Sequence, residues 1–157
     1  MGVSGSGKTT VAQAVSRARG WEYAEGDDFH PRANVDKMRA GTPLDDEDRW
    51  PWLRAVAAWI GEREADGESV VVTCSALRRA YRDLLREGHP SVRFCHLTVP
   101  EAVLAERLAA RRGHYMPASL LHSQLETLED LQPDEPGFQV LEQPTPEDVV
   151  AEVLRRL

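Results

Sequence analysis

The sequence predicts an α/β fold built on a parallel sheet, and three observations carry that prediction. Gly2-Val3-Ser4-Gly5-Ser6-Gly7-Lys8-Thr9 gives Gly, four residues, then Gly-Lys-Thr, and Val11, Ala14, Val15 and Ala18 continue at helical spacing. Val70-Val71-Val72-Thr73-Cys74 is an unbroken run dominated by β-branched residues, as in an interior parallel strand covered on both faces. Strand-like runs alternate with longer helical patterns along the whole chain.

The first of these stretches is the pattern of a phosphate-binding loop. Its glycines take backbone angles that a side chain forbids, so successive N–H groups curl into a nest around phosphate oxygens. The helix that follows turns its partial positive end toward the same anion. Lys8 is placed to reach the β- and γ-phosphates, and the Thr9 hydroxyl to ligate Mg²⁺. Residues Gly2 to Thr10 are therefore the expected triphosphate site. A flexible Gly/Ser linker is the alternative, but a linker has no use for Lys-Thr opening a helix.

The other elements follow in order. A helix is expected from about Gly7 to Ala18, ended by Gly20, and Trp21 to Ala24 as a short strand. Glu25-Gly26-Asp27-Asp28-Phe29-His30-Pro31 is a polar loop at a strand's C-terminal end, where open α/β sheets bind ligands. Asn34 to Ala40 reads as a short helix stopped by Gly41, and Thr42 to Asp48 as an acidic loop. Pro51 suits the first turn of the next helix, which buries Trp52, Leu53, Val56, Ala57 and Ile60. After the strand at 70–74 come a helix with Tyr81, Leu84 and Leu85 inward, a strand from Val92 to Val99, and a helix from Pro100 to about Arg112. Gly113-His114-Tyr115-Met116-Pro117 breaks that helix, and another covers Ser119 to Leu128. Phe138 to Leu141 is a last strand, and Thr145-Pro146-Glu147-Asp148 starts a final helix.

At 157 residues the chain fits a single domain, 1–157. A sheet of this kind places a central strand before the phosphate loop, yet only Met1 stands there. The first strand is thus expected to be truncated, the natural chain starting about five or more residues earlier. A net charge of −7 argues against a nucleic-acid or anionic-membrane footprint. No apolar run approaches the roughly 20 residues of a membrane span, and no leader is expected before the loop. Cys74 and Cys95 in strand-like runs suit free thiols in a reducing compartment, so the expected setting is the cytoplasm. Of 19 basic residues only Lys8 and Lys37 are lysines, which suits two positions wanting a compact ammonium.

Asp27-Asp28-Phe29-His30-Pro31, with Asn34, Lys37-Met38, Gly41, Pro43-Leu44, Asp46, Asp48-Arg49 and Pro51-Trp52-Leu53, resembles the gluconokinase family. So do Cys74-Ser75-Ala76-Leu77 with Tyr81-Arg82-Asp83, and Gly113-His114 with Leu120, Gln124 and Leu128-Glu129. The resemblance runs from about Gly2 to Glu129. It implies the nucleoside-monophosphate-kinase-like P-loop fold, a five-stranded parallel sheet ordered 2-3-1-4-5 flanked by helices, with a lid at about 113–121. It also implies ATP- and Mg²⁺-dependent phosphorylation of D-gluconate to 6-phospho-D-gluconate, and a possible homodimer. The chain departs from the family at Glu25, where Asp is frequent, at Leu125, where Phe is usual, and in the position of Pro133.

Such a transfer asks the protein for positioning and charge neutralisation. On the resemblance, Asp27 orients the acceptor hydroxyl and accepts its proton; the alternative is a turn Asp that caps the next helix. Glu25, two residues earlier, is a candidate to hold a water on Mg²⁺, and His30 to hydrogen-bond a substrate hydroxyl. Arg49 and Arg78 are the leading candidates for the substrate carboxylate, since a guanidinium binds it bidentately, with Lys37 and Arg79 next. Ser75 stands where backbone and hydroxyl meet the sugar acid. Arg82 with Asp83 reads as a structural pair on a helix. Arg107 and Arg111, four apart on one helix face, are candidates for ATP at the lid hinge.

Two other readings compete. One is another small-molecule kinase of this fold, such as a shikimate kinase, which carries a glycine triplet after its third strand where this chain has Cys74-Ser75-Ala76. The other is a nucleotide-binding regulatory module without turnover. The dense polar block from Glu25 to Arg49 suits an acceptor pocket better than a switch.

Overall fold

Gly7 is where the chain turns from loop to helix. Its φ of 90° is open to glycine and strained for other residues, and Lys8–Arg19 follow as α1. Gly20, also left-handed, ends that helix with its N–H on the Ser16 carbonyl, 2.9 Å. The computed structural model of the chain describes residues 1–110 and 118–157, with the side chains of 118–120 outside the description. Arg111, Arg112, Gly113 and His114 lie outside the described residues, as does most of the lid expected at 113–121.

Strands and helices alternate as expected. β1 (Glu22–Glu25) leads through a 3-10 turn (Gly26–Phe29) to α2 (Arg32–Arg39) and α3 (Asp46–Ala65). β2 (Val70–Thr73), α4 (Arg79–Arg86), β3 (Phe94–Thr98) and α5 (Glu101–Ala110) follow, then α6 (Ala118–Thr127), β4 (Gly137–Leu141) and α7 (Pro146–Arg156).

The described strands form two parallel pairs, β1 with β2 (Glu22 opposite Val70, Glu25 opposite Thr73) and β3 with β4 (Phe94 opposite Gly137, Thr98 opposite Leu141). Met1 and Gly2 stand between the pairs. The Gly2 N–H donates to the Ser75 carbonyl at 3.2 Å, and the Met1 carbonyl accepts from the Leu97 N–H at 3.0 Å. The sequence in space is β1, β2, Met1–Gly2, β3, β4, which is the order 2-3-1-4-5 with Met1 and Gly2 at the central position. Met1, Val11, Val72, Cys74, Phe94 and Leu97 line part of a cavity of about 500 Å³ between the pairs. Cys74 and Cys95 are free thiols, Cys74 buried and Cys95 half-buried.

Helices cover both faces. Trp52, Leu53, Val56 and Ile60 of α3 pack with Tyr81 and Leu85 of α4 and with Phe94 on one side. Val11 and Val15 of α1, Val153 of α7, and Leu97, Phe138 and Val140 of the sheet form the core of the other. No helix among the described residues is long and apolar enough to cross a membrane.

Two expectations need correction. The loop expected from Thr42 to Asp48 ends at Asp45: α3 begins at Asp46, so Pro51 lies inside the helix rather than in its first turn. Asp45 and Asp48 form a reciprocal capping box, each side chain accepting from the other's backbone N–H at 2.9 and 3.0 Å. That box satisfies orphan donors at the helix start, which Pro51 alone cannot do. Arg82 and Asp83, in turn, are not partners: Asp83 faces Arg79 (3.3 Å), and Arg82 is fully buried against Glu135.

Candidate active site

The phosphate loop forms the floor of the site. Gly2, Gly5 and Gly7 all have positive φ, so the backbone from Gly2 to Thr10 can turn its N–H groups inward. The Lys8 ammonium donates to the Val3 carbonyl at 2.9 Å and so lies back across the loop. The Ser4 N–H donates to Gln124 Oε1 (2.7 Å), fixing the loop to α6. On the far side Arg107 of α5 approaches the Gly5 carbonyl at 3.4 Å and is held by Glu142 at 2.6 Å. The expected nucleotide residue Arg107 is therefore against the loop.

The C-terminal end of β1 brings Glu25 to the same place. Its Oε2 accepts from the Thr9 hydroxyl at 2.8 Å and from the Tyr23 hydroxyl at 2.6 Å, while Thr73 donates to its Oε1. Burial pushes the Glu25 carboxyl up, but these three hydrogen bonds and nearby Lys8 outweigh it and leave the group below the usual range. Tyr23, half-buried beside this carboxylate, is pushed up to about 12 by desolvation and by its hydrogen bond to Glu25, and stays a donor. Parallel pairing makes the cluster: Glu25 sits opposite Thr73, and Tyr23 shares Glu25's face two residues before it.

Gly26 follows because nothing larger fits. A Cβ there would lie 1.9 Å from the Thr73 carbonyl oxygen, and the Gly26 N–H donates to the Thr73 hydroxyl at 3.1 Å. The Gly26 carbonyl accepts from the Trp52 indole (2.7 Å), and the His30 ring stacks on Trp52 with centroids 4.1 Å apart. This clamp sets the intervening turn, on which Asp27 is exposed and its carbonyl accepts from the His30 N–H at 3.2 Å. The N-cap position of α2 is Pro31, which has no side-chain hydrogen bond. Burial and the Arg49 charge push His30 down to about 4, so its ring is neutral.

The predicted cations separate into two groups. Arg49 and Arg78 both lie near the Tyr81 ring, 5.7 and 5.9 Å from its centroid, and with Leu44, Asp45 and Asp46 line an open pocket of about 580 Å³. Arg49 is buried, its Nε donating to the Leu44 carbonyl at 3.2 Å. Arg78 Nη1 spans both oxygens of Asp46 (3.0 and 2.8 Å), and the Tyr81 hydroxyl donates to the same carboxylate at 2.5 Å. Lys37 and Arg79, away from that pocket's lining, are like Arg78 engaged by acids. Lys37 pairs with Asp48 and Asp45, which hold its ammonium above the usual range, and Arg79 grips Asp134 through two bonds of 2.9 Å. Ser75, at the end of β2, accepts through its carbonyl from Gly2.

Sequence reasoning missed Tyr23 and Thr73 around Glu25, Asp46 beside Arg78, and the linkage through Arg82. That guanidinium donates to the carbonyls of Ala76 (3.1 Å), Leu77 (3.4 Å), Glu129 (3.0 Å) and Asp130 (3.3 Å), and to Glu135 at 2.5 and 2.9 Å. Ala76 has the left-handed φ of 45°, the positive value among described non-glycine residues. The hydroxyl of Thr73 in an otherwise apolar β-branched run was the available signal for Thr73; the pairings of Asp46 with Arg78 and of Glu135 with Arg82 gave none, because the partners lie 32 and 53 residues apart.

A family model described as an AAA domain matches residues 1–131. The chain is 48% identical over 155 residues to a gluconokinase of Gluconobacter oxydans, covering 99% of this chain and 87% of that protein. A solved sugar kinase from a Janibacter species superposes with a TM-score of 0.94 at 54% identity, covering 99% of this chain and 90% of that one. A solved gluconokinase from Sinorhizobium meliloti superposes with a TM-score of 0.82 at 50% identity, covering 99% and 87%. A phosphate loop, an acid-bearing turn beside it and a cation-lined pocket occur together on this fold, at identities of this size over nearly the whole chain: the chain belongs to the gluconokinase family, with its P-loop kinase fold.

Proposed function

We infer that the protein transfers the γ-phosphoryl group of ATP to D-gluconate, giving 6-phospho-D-gluconate and ADP. The observation that carries this reading is the turn from Glu25 to His30, tied to the phosphate loop through Thr9 and Glu25 and near enough to Arg49 of the cation-lined pocket for its charge to act on His30. The acceptor is a polyhydroxy carboxylate. It needs a carboxylate near its reacting hydroxyl and cations at its other end. Asp27 orients that hydroxyl and takes its proton; Arg49 and Arg78 hold the substrate carboxylate, with Lys37 and Ser75 at the margin. His30 donates to a hydroxyl oxygen. Lys8 follows the charge of the migrating group, and Arg107 lies on the nucleotide side.

The residues present fit Mg²⁺. Thr9 offers a hydroxyl beside an ionised Glu25, and no cluster of three or more His, Cys, Asp or Glu forms a metal cage among the described residues. Mg²⁺ prefers such a site, with one or two protein oxygens plus phosphates and water. Thr9 would bind it directly and Glu25 through a water. When bound, the ion neutralises charge on the β- and γ-phosphoryl oxygens. We read the chain as one domain working in the cytoplasm, with a homodimer as its candidate assembly.

A coupled ADP-release assay across sugar acids, with shikimate and nucleoside monophosphates included, tests the reading. ADP release dependent on D-gluconate is expected. Turnover with shikimate instead would favour the other kinase class, and nucleotide binding without acceptor-dependent release would favour a regulatory module.

A further inference from the structure

We propose that Asn34 is a positioning residue that fixes His30 in the tautomer with its proton on Nε2, making His30 a neutral donor to a hydroxyl oxygen of the sugar acid. The proposal rests on the reading above, in which His30 faces the acceptor.

Asn34 sits in the first turn of α2 and is buried to 4% of its exposed area. A buried amide at this place needs partners for its hydrogens. Its Nδ2 donates to the Asp48 carbonyl at 2.8 Å. That carbonyl only accepts, so the amide cannot be turned the other way: nitrogen, not oxygen, faces it. The same Nδ2 lies 3.3 Å from His30 Nδ1. An NH₂ group has two hydrogens. With one on Asp48, the other faces His30 Nδ1, which must then supply a lone pair. A neutral imidazole has one donor nitrogen and one acceptor nitrogen, so the proton sits on Nε2.

Two further features hold the arrangement. Stacking on Trp52 at an interplanar angle of 17° fixes the ring plane, and Trp52 is itself tied to Gly26. The neighbouring Arg49 charge and burial disfavour a second proton on the ring. Chemically, a neutral Nε2–H donor can grip a hydroxyl oxygen without offering a competing positive charge. The substrate carboxylate is then left to the guanidinium groups, which helps set the direction in which the acid binds. Asn34 also ties α2 to the first turn of α3, so the donor is registered against the helix that carries Arg49.

Long-range proton–nitrogen NMR of protein labelled at histidine nitrogens tests this directly. In the wild-type protein, His30 Nε2 is expected to show a protonated, pyrrole-type shift and Nδ1 a pyridine-type shift. Asn34→Asp replaces the donor by an acceptor and should move the proton to Nδ1. The gluconate KM should then rise about tenfold, the value of one net hydrogen bond, with nucleotide affinity unchanged. His30→Gln keeps a donor near the Nε2 position, and in that background Asn34→Asp should change KM less than about twofold. A wild-type His30 protonated on Nδ1 overturns the proposal, even if the Asn34 variant fails to fold. So do Asn34 substitutions that lower Tm but leave tautomer and KM as they were. A His30→Ala enzyme with unchanged gluconate KM overturns the donor role while leaving phosphoryl transfer to gluconate standing.

Discussion

Residues 2–10 and residues 25–49 meet at one edge of the sheet, yet they are built to hold ligands by different means. The first stretch relies on backbone N–H groups made available by three glycines of positive φ, with Lys8 as its principal side chain. The second relies on side chains whose positions depend on residues far away: Glu25 on Thr73, His30 on Trp52, and the turn on Gly26 pressed against Thr73. A backbone cradle tolerates side-chain change and fails on backbone change. A side-chain pocket does the reverse.

The largest effect is expected where a side chain acts in the donor half. Lys8→Ala should cut turnover by about a hundredfold or more, the loss of roughly 3 kcal/mol of charge stabilisation, with Tm preserved. Near-native turnover per folded molecule would mean that the loop works by backbone alone. Asp27→Asn should lower turnover by about 10²–10³-fold, the lower part of the range for general bases because a loose transition state asks less of one. Nucleotide affinity should stay as it was. A variant with lowered Tm but native turnover per folded protein would leave Asp27 as a turn residue.

In the acceptor half, Arg78→Lys keeps the charge but loses the planar fork. Gluconate KM should rise roughly tenfold with little change in turnover. Steady-state kinetics with the nucleotide saturating decide it, and an unchanged KM would move the carboxylate contact to Arg49. A smaller effect concerns pH. His30 and His96 are both lowered from 6.5 to about 4, each chiefly by burial. Between those values the unfolded chain binds more protons than the folded one, so stability falls as pH drops from about 6.5 to about 4. Tm measured across that range should fall, and His30→Gln should make the fall shallower. The smallest effect is expected at Ser4, whose N–H is its useful group. Ser4→Ala should change turnover by less than about twofold, and a large loss would show that the loop's side chains matter after all.

The same contrast explains what could be read from the sequence. The phosphate loop and α1 are local, so spacing alone revealed them. Most strands and helices were legible because their apolar patterns are short-range too. α3 was misjudged at its start because Pro51 is a conspicuous punctuator while the Asp45–Asp48 box is reciprocal and easily read as an acidic loop. In the acceptor half the residue types were legible and their grouping was not. That Lys37 is held by Asp45 and Asp48, or that Asp46 joins Arg78 to Tyr81, depends on how α2, α3 and α4 pack. The Thr73 partner of Glu25 showed only once strand register set the two opposite each other.

Arg82 bears on how this chain can change over evolutionary time. Its fork closes a ring through the backbone at Ala76 and Leu77 and through residues 129–135. Carbonyl oxygens are present at every residue, so much of that ring is indifferent to which side chains occupy the segment. It is not indifferent to how many residues the segment contains. One inserted or deleted residue between Asp130 and Glu135 would shift the acceptors out of phase with a donor set that cannot follow.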